Sequence, residues 1–435
     1  MLVEFTVENF LSFKDKITFS MVADSSISKE HLNNIFSEPV YKKFDLLKTS
    51  VVYGANASGK SNLLKAIDFM KNKIFSSFRD SLIDIDKKED VSNFKLSTTT
   101  LNKPSKFEVI FIQNKKRYRY GFEIDNNKVH SEWLYHVPEK RETILFTRKG
   151  NKFDIKDSFK EGRGWEDKTR DNVLFLSLLA QFNGEKSKEV LDWFKKLLYI
   201  HAGRFDINFS LEKARTNPEF KKKLLELIQI LDIGIENIEI TEISLEEEVK
   251  NLPKDIPNKL KEAFKSLNPN AKSLYASTIR NQYDELNNIV SQTSFDINNM
   301  ESDGTKKIIA LFAYWFDVFE KNKILIIDEL DSSLHSLLTI EMIKLFHSNL
   351  SNPNNAQLIF SLHDTSLLSN DFFRRDQIWF IEKNPHGVSD LYSFVEYRLA
   401  NDTKVRNDAS YGKNYLKGKY GAIPFLGNLE RLFEI

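Results

Sequence analysis

The chain has 435 residues, of which 41% are hydrophobic and 29% are charged. Its 63 basic and 62 acidic residues leave a net charge of +1, so the overall charge does not favour nucleic-acid binding. The lack of cysteine excludes disulfides, cysteine zinc sites and thiol chemistry. With no apolar run long enough to span a bilayer and no signal-peptide pattern after Met1, we expect a cytoplasmic protein without membrane contact.

The first predicted elements belong to strands and one long helix. Apolar residues alternate over residues 2–7, which predicts a strand at the start of the chain. A continuously apolar, β-branched stretch at residues 47–53 predicts a buried strand. Residues 60–71 then have apolar side chains at helical spacing. Residues 106–123 predict two antiparallel strands joined by a turn.

The pattern changes in the middle of the chain. Asn217 followed by Pro218 predicts a helix start, because asparagine caps helices and proline suits the first helical position. A strand-like stretch near residues 235–243 precedes a polar run that contains two prolines. We therefore predict an inserted, mainly helical arm. Since no heptads are sustained, we do not expect a long coiled coil.

The last third alternates between helix and strand. Residues 307–320 predict an apolar helix, and residues 323–327 a short buried strand. Residues 337–349 predict another helix, and residues 357–362 another buried strand. Strands that alternate with helices in this way are typical of a parallel α/β sheet.

Together these elements predict an α/β fold with a mixed β-sheet, flanking helices and the inserted arm. We expect residues 1–205 to form the first lobe of the main domain and residues 206–290 the arm. Residues 291–435 would complete the main domain.

Residues 54–61, GANASGKS, match the phosphate-loop pattern G-x-x-x-x-G-K-[ST] at every fixed position. Glycines let backbone N–H groups approach phosphates, and the helix that follows directs its positive end at the same oxygens. Lys60 would contact the β- and γ-phosphates, and Ser61 would bind Mg²⁺. The residues predicted to bind the nucleotide here are Gly54, Ala55, Asn56, Ala57, Ser58, Gly59, Lys60 and Ser61.

An apolar strand ends in two carboxylates, Asp328 and Glu329. Next to a phosphate loop, Asp328 would hold Mg²⁺ directly or through water, and Glu329 would deprotonate the attacking water. Without the loop, the same pattern would indicate only ordinary charges at a strand end. The pair therefore predicts a nucleoside triphosphate as the substrate and Mg²⁺ as the cofactor.

Three further pieces indicate an ABC-like ATPase. Ser302 and Gly304 lie before a long helix, where a Ser-x-Gly turn can bind an anion, in this class the γ-phosphate held by a second subunit. His363 follows the predicted strand at 357–362 and would contact the γ-phosphate and the water. Gln181 ends an apolar segment and would bind Mg²⁺ and sense the γ-phosphate. An ordinary helix cap, a structural histidine and a plain surface glutamine are the competing interpretations.

The motifs MLVEFTVENFLSF, VVYGANASGKSNLL, ESDGTKK, ILIIDELDSSLH, FSLHDTSLL and YGKNYLKGKYGAIPFL together resemble prokaryotic ABC-like AAA family ATPases related to OLD proteins. They are similar above all to ATPase subunits of phage-defence and abortive-infection modules of the AbiL, RloA and PARIS type. The resemblance covers nearly the whole chain and is weakest at residues 245–285.

This resemblance implies an ABC-type P-loop ATPase head, formed by residues 1–205 and 291–435, with the helical arm inserted. It also implies that the protein hydrolyses ATP slowly and uses the nucleotide state for assembly and sensing. It implies a homodimer of heads, with a higher homo-oligomer left open, and a separately encoded effector, often a nuclease with a TOPRIM-like or RloB-like domain. A phage protein as trigger is also open. About 70 residues follow His363, too few for the nuclease domain of full-length OLD proteins. In most ABC transporters, the loop that begins at the two carboxylates ends in an aspartate. Here that loop ends in His335, so we do not expect transport.

Three functions follow from these observations. The first is an ATPase sensor or scaffold in a two-component antiviral or toxin–antitoxin module. The second is a DNA-repair or recombination ATPase of the SMC or RecF type, against which the neutral charge and the missing heptads argue. The third is a nucleotide-gated interaction module with negligible hydrolysis, against which Glu329 argues.

Overall fold

The computed structural model describes residues 1–27, 29–37, 44–83, 91–137, 141–201, 205–231, 233–244, 272–399, 405–406 and 409–424. The chain divides into two compact units. The first comprises Met1–Gly203 and Lys321–Ile435, and the second comprises Arg204–Glu320. None of the helices within the described ranges has the length and apolarity that crossing a membrane requires.

The first unit contains a seven-stranded antiparallel sheet. Its strands are β1 (Leu2–Glu8), β2 (Ile17–Ser20), β6 (Ser105–Gln113), β7 (Lys116–Ile124), β8 (Val129–Val137), β9 (Thr143–Lys149) and β10 (Lys152–Ile155), in the order β10-β9-β8-β7-β6-β1-β2. The strands predicted at residues 2–7 and 106–123 are confirmed. Asn114 and Lys115 make the β6–β7 turn with φ of 48° and 60°, as a two-residue hairpin with the right-handed twist requires. Between β2 and the strands of the second large sheet, the chain forms a short antiparallel pair, β3 (Ile35–Ser37) and β4 (Asp45–Leu47).

A second, six-stranded sheet positions the predicted site. Its strands are β5 (Thr49–Tyr53), β11 (Leu197–Ile200), β15 (Ile324–Ile327), β16 (Gln357–Ser361), β17 (Ile378–Lys383) and β18 (Ser389–Ser393), in the order β11-β15-β16-β5-β17-β18. All are parallel except β18, which pairs antiparallel with β17. The parallel α/β pattern predicted from the last third of the chain is therefore confirmed. Because parallel strands end at one edge, the segments that follow β5, β15, β16 and β17 meet there.

The helices of the first unit are α1 (Lys60–Ile83), α2 (Phe175–Gln181), α3 (Glu185–Phe194), α7 (Ser336–His347) and α8 (Tyr411–Leu416). Leu63, Leu64, Ile67, Met70 and Ile74 line one face of α1 at spacings of three and four residues and are buried. They join one hydrophobic core with side chains from both large sheets. This core fixes α1 against β11 and β16, and it thereby fixes the start of the helix at the edge where the strands end.

The second unit combines helices with a small sheet. It contains α4 (Ile207–Thr216), α5 (Pro218–Ile230), β12 (Asn237–Ser244), β13 (Lys272–Tyr283), β14 (Ile289–Asp296) and α6 (Asp303–Lys321). The predicted helix start is confirmed, because the Asn217 side chain accepts a hydrogen bond from the Phe220 N–H at 3.0 Å. Its own core includes Leu211, Phe220, Leu224 and Ile309.

The arm predicted as mainly helical contains strands as well. Antiparallel pairing of β12 with β13 and of β13 with β14 gives a three-stranded sheet. The strand-like stretch predicted near residues 235–243 is confirmed as β12. The strands β13 and β14 were not predicted, although β13 contains tyrosine, threonine and isoleucine, which favour strands. The polar run that begins at Leu245 lies outside the described residues. The compact unit also extends beyond residue 290 and includes α6.

A buried histidine makes the stability of the first unit depend on pH. His347 ends α7, and its Nε2 lies 2.8 Å from the hydroxyl of Thr49, the first residue of β5. Burial, together with the nearby positive charge of Lys48 and with His31, lowers the pKa of His347 from 6.5 to about 3. The folded protein therefore holds this imidazole neutral.

We expect the free energy of unfolding to fall by about 2 kcal/mol between pH 7.5 and pH 5 through His347 alone. The unfolded chain binds the proton below pH 6.5 whereas the folded chain does not, so protonation favours unfolding, and stability is lost as the pH falls through this window. Denaturant titrations at several pH values should show this slope, and His347→Gln should reduce it. The same substitution at the exposed His386 is the control. An equal slope in wild type and His347→Gln would contradict the assignment.

Candidate active site

The phosphate loop lies between the buried strand β5 and the helix α1, as the motif requires. Its glycines are needed for space. A Cβ at Gly54 would lie 2.4 Å from the carbonyl oxygen of Ile381, and Gly59 adopts φ of +120°, where side chains are strained. Without these side chains, the backbone N–H groups of the loop can approach phosphates at the edge where the strands end.

Lys60 is the first residue of α1 and is buried, with 6% of its surface exposed. Its Nζ donates hydrogen bonds to the carbonyl oxygens of Gly54 at 2.7 Å and of Ala55 at 3.2 Å. Burial lowers the pKa of Lys60, while Asp328 and Glu329 oppose that shift. A buried cation between carboxylates and a phosphate loop is well placed to bind a phosphate oxygen.

Asp328 follows β15 and is almost fully buried. Its Oδ1 accepts a hydrogen bond from the Ser361 hydroxyl at 2.7 Å, whereas its Oδ2 has no hydrogen-bond partner within the described part of the chain. A buried carboxylate oxygen without a partner is costly unless a cation or water satisfies it. Mg²⁺ commonly binds one or two protein oxygens together with phosphates, so Asp328 and Ser61 fit a Mg²⁺ site.

Glu329 has φ of 54°, an unusual left-handed conformation for a residue with a side chain. Its N–H donates to the Ser361 hydroxyl at 2.8 Å, so Ser361 holds both the Asp328 carboxylate and the Glu329 backbone. His363 follows β16, and its Nε2 lies 3.4 Å from Glu329 Oε1. Asp331 fixes the His363 segment, because its Oδ2 accepts a hydrogen bond from the His363 N–H at 2.8 Å. Strained backbone held by specific bonds is common at functional sites.

These segments enclose a cavity of about 770 Å³. The residues that line it are Ala55, Asn56, Ala57, Ser58, Gly59, Lys60, Ser61, Asn62, Glu329, His363 and Lys383. The structure thus brings the phosphate loop, Glu329 and His363 to one place, next to the buried Asp328. Their catalytic and metal-binding roles stay predictions.

Gln181 does not line this cavity. It is the last residue of α2, and it is exposed. The helix α2 packs against the second half of α1, where the Ser177 hydroxyl donates to the carbonyl oxygen of Ile74. That carbonyl lies about 21 Å along α1 from Lys60, at 1.5 Å per residue. The prediction that Gln181 binds Mg²⁺ therefore has no geometric support. An apolar segment ending in glutamine is too weak a pattern to place a residue.

Ser302 and Gly304 belong to the second unit. Ser302 caps α6, since its hydroxyl accepts a hydrogen bond from the Thr305 N–H at 3.1 Å, and its side chain is exposed. The preceding Glu301 is buried, and the Arg280 guanidinium of β13 donates to it at 2.8 Å. The signature turn is thus anchored on the small sheet, and its exposed capping serine can meet a ligand from outside the unit. This anchor was not predicted.

Sequence reasoning missed Lys383 and Ser361. Lys383 ends β17 in IWFIEK, which has the same pattern as ILIIDE: an apolar strand that ends in charged residues. That likeness could have marked it as a candidate. Ser361 offers no comparable signal, because a serine at the end of a buried strand is common and its two partners become visible only in the fold.

Comparison with known proteins adds a family. A family model described as "AAA domain, putative AbiEii toxin, Type IV TA system" matches residues 50–369, a range that includes the phosphate loop and His363. Among solved structures, the chain is similar to "SMC head domain from Thermotoga maritima", with 12% sequence identity and a TM-score of 0.39 over 90% of this chain and 98% of that chain. No curated protein matches the chain.

Proposed function

Because the chain belongs to this AAA domain family and is a P-loop ATPase in fold, we propose that it hydrolyses ATP as the sensor or scaffold subunit of a prokaryotic antiviral or toxin–antitoxin system. In this proposal it controls a separately encoded effector, such as a nuclease with a TOPRIM-like or RloB-like domain. The family description, which names a type IV toxin–antitoxin system, supports the biological setting. The effector rests on the resemblance of the sequence motifs alone.

One observation supports hydrolysis above all: Glu329 and His363 face the same cavity as Lys60 and Ser61. Lys60 and the loop N–H groups would hold the phosphates. Asp328 and Ser61 would hold Mg²⁺, which when bound supplies positive charge to the phosphate oxygens. Glu329 would accept a proton from water, and His363, 3.4 Å from it, would orient that water or the γ-phosphate.

The proposal includes a homodimer of heads. Ser302 and Gly304 of the partner subunit would complete each site, with the N–H groups at the start of α6 directed at the γ-phosphate. The exposure of Ser302 in the second unit is consistent with this role. ATP would then stabilise the dimer, because it binds both subunits at once.

We expect Lys60→Ala to weaken ATP binding about 10- to 100-fold, because a charge-assisted hydrogen bond to phosphate is lost. The same variant should abolish phage protection by the chain when it is expressed together with its neighbouring gene. Calorimetry and plaque counts measure the two effects, and Lys65→Ala, on the same helix, is the control. Growth arrest by the chain alone, or no captured effector in a pull-down with the neighbouring product, would contradict the two-component proposal. ATP-dependent, salt-sensitive DNA binding would instead favour the DNA-repair alternative.

A further inference from the structure

Ser389, the first residue of β18, holds the phosphate loop from the side. Its hydroxyl donates a hydrogen bond to the carbonyl oxygen of Ser58 at 2.5 Å. Its backbone N–H donates to the carbonyl oxygen of Ser12 at 2.8 Å. The Ser12 hydroxyl in turn accepts a hydrogen bond from Asn62, in the first turn of α1, at 2.8 Å. Two segments that are far from the loop in sequence are thus bonded to the loop or to the first turn of α1, which follows it.

The absence of a side chain at Gly59 makes room for these hydroxyls. A Cβ at Gly59 would lie 2.6 Å from Ser389 Oγ and 2.9 Å from Ser12 Oγ. Both serines are buried, with 2% and 7% of their surfaces exposed, so neither hydroxyl can turn to bulk water instead. Gly59 is therefore constrained by packing as well as by its own positive φ.

The bond from Ser389 also sets the direction of a phosphate-binding group. The Ser58 carbonyl and the Gly59 N–H belong to one peptide unit, and every peptide bond that the structure describes is trans. In a trans peptide these two groups point in opposite directions. Gly59 lines the cavity and Ser389 does not. A carbonyl held toward Ser389 therefore directs the Gly59 N–H toward the cavity.

We propose that Ser389 is a positioning residue for nucleotide binding, which orients the Gly59 N–H toward the phosphates through the Ser58 carbonyl. The inference rests on the proposed ATP binding. Without the Ser389 hydroxyl the peptide unit would be free to rotate, and its carbonyl, which repels phosphate, could face the cavity. The hydroxyl contacts no substrate itself, so its effect should appear in phosphate affinity.

Ser389→Ala tests the proposal, with Ser393→Ala as the matched control, because Ser393 is buried on the same strand and does not line the cavity. Binding of ATP and of inorganic pyrophosphate is measured by calorimetry, and the melting temperature without ligand is recorded for each variant. We expect Ser389→Ala to weaken both ligands by the same factor of about 10, since they share the phosphates. We expect KM to rise while kcat changes little. Ser389→Cys, which keeps a weak donor, should give an intermediate loss and serves as the test if Ser389→Ala does not fold.

A purely structural serine would give a different result. Equal losses in Ser389→Ala and Ser393→Ala would overturn the proposal, as would weaker ATP binding with unchanged pyrophosphate binding. If wild type binds ATP and Lys60→Ala does not, while Ser389→Ala binds as wild type does, this inference alone fails. If wild type binds neither ATP nor pyrophosphate, the proposed function fails as well.

Discussion

Glu329→Gln is expected to bind ATP as tightly as wild type and to hydrolyse it about 100- to 1,000-fold more slowly. The amide has nearly the shape of the carboxylate, so the left-handed backbone at this position and its bond to Ser361 should persist. What the variant would lose is the group that we propose accepts a proton from water as the γ-phosphate leaves. A 100-fold loss corresponds to about 2.7 kcal/mol of transition-state stabilisation.

The surroundings of the two carboxylates support this proposed role for Glu329 rather than for Asp328. Asp328 is buried and its Oδ1 is held by Ser361, whereas the Glu329 side chain is 38% exposed and lines the cavity. A proton acceptor must reach the water, and a metal ligand must be fixed. The two adjacent carboxylates therefore have environments that suit different tasks.

Steady-state phosphate release and calorimetric ATP binding measure the two quantities separately. Glu382→Gln is the matched control, because Glu382 also lies at the end of a strand of the same sheet, is exposed, and does not line the cavity. Because Glu329→Gln would bind ATP without hydrolysing it, this variant should also accumulate the ATP-bound dimer. Full turnover in Glu329→Gln would refute the base assignment, and equal slowing in Glu382→Gln would show an indirect effect.

Contiguous motifs account for what the sequence could predict. The phosphate loop, the strand that ends at Asp328 and Glu329, and the strand before His363 each have a local pattern that follows from chemistry. Their convergence follows from the parallel sheet, since the strands β5, β15 and β16 end at one edge. These parts of the fold and of the site were therefore within reach of one sequence.

The remaining parts depend on contacts between distant segments. Ser389 lies 331 residues after Ser58, to which it donates, and no local pattern connects them. Gln181 had only an apolar neighbourhood in its favour, and that neighbourhood reflects packing of α2 against α1. The sheet of the second unit depends on pairing between β12 and β13. The spacing of apolar residues within either strand does not reveal that pairing.

One such distant contact is a fully buried ion pair in the antiparallel sheet. Arg148 of β9 and Glu132 of β8 both have completely inaccessible side chains, and their charged atoms lie 3.8 Å apart. Glu132 also accepts hydrogen bonds from the backbone N–H groups of Phe175 and Leu176, at 2.6 Å and 3.0 Å, where α2 begins. The pair thus connects the sheet to α2. Burial raises the pKa of Glu132, and the charge of Arg148 opposes that shift.

We expect Arg148→Met to lower the free energy of unfolding by about 3 to 5 kcal/mol, because it leaves a buried carboxylate without its cation. The substitution also removes donors from backbone carbonyl oxygens, including those of Val173 and Gly150. Denaturant unfolding measures the loss. Arg163→Met is the control: Arg163 pairs with Asp157 at the surface, where an ion pair contributes about 0 to 1 kcal/mol.

A double variant separates the two causes of this loss. Glu132→Gln combined with Arg148→Met removes both charges and keeps an acceptor for the α2 backbone. If the unpaired charge dominates, the double variant should recover part of the stability that Arg148→Met loses. If the lost carbonyl donors dominate, the double variant should be no more stable than the single one. Similar losses in Arg148→Met and Arg163→Met would contradict the assigned role of the buried pair.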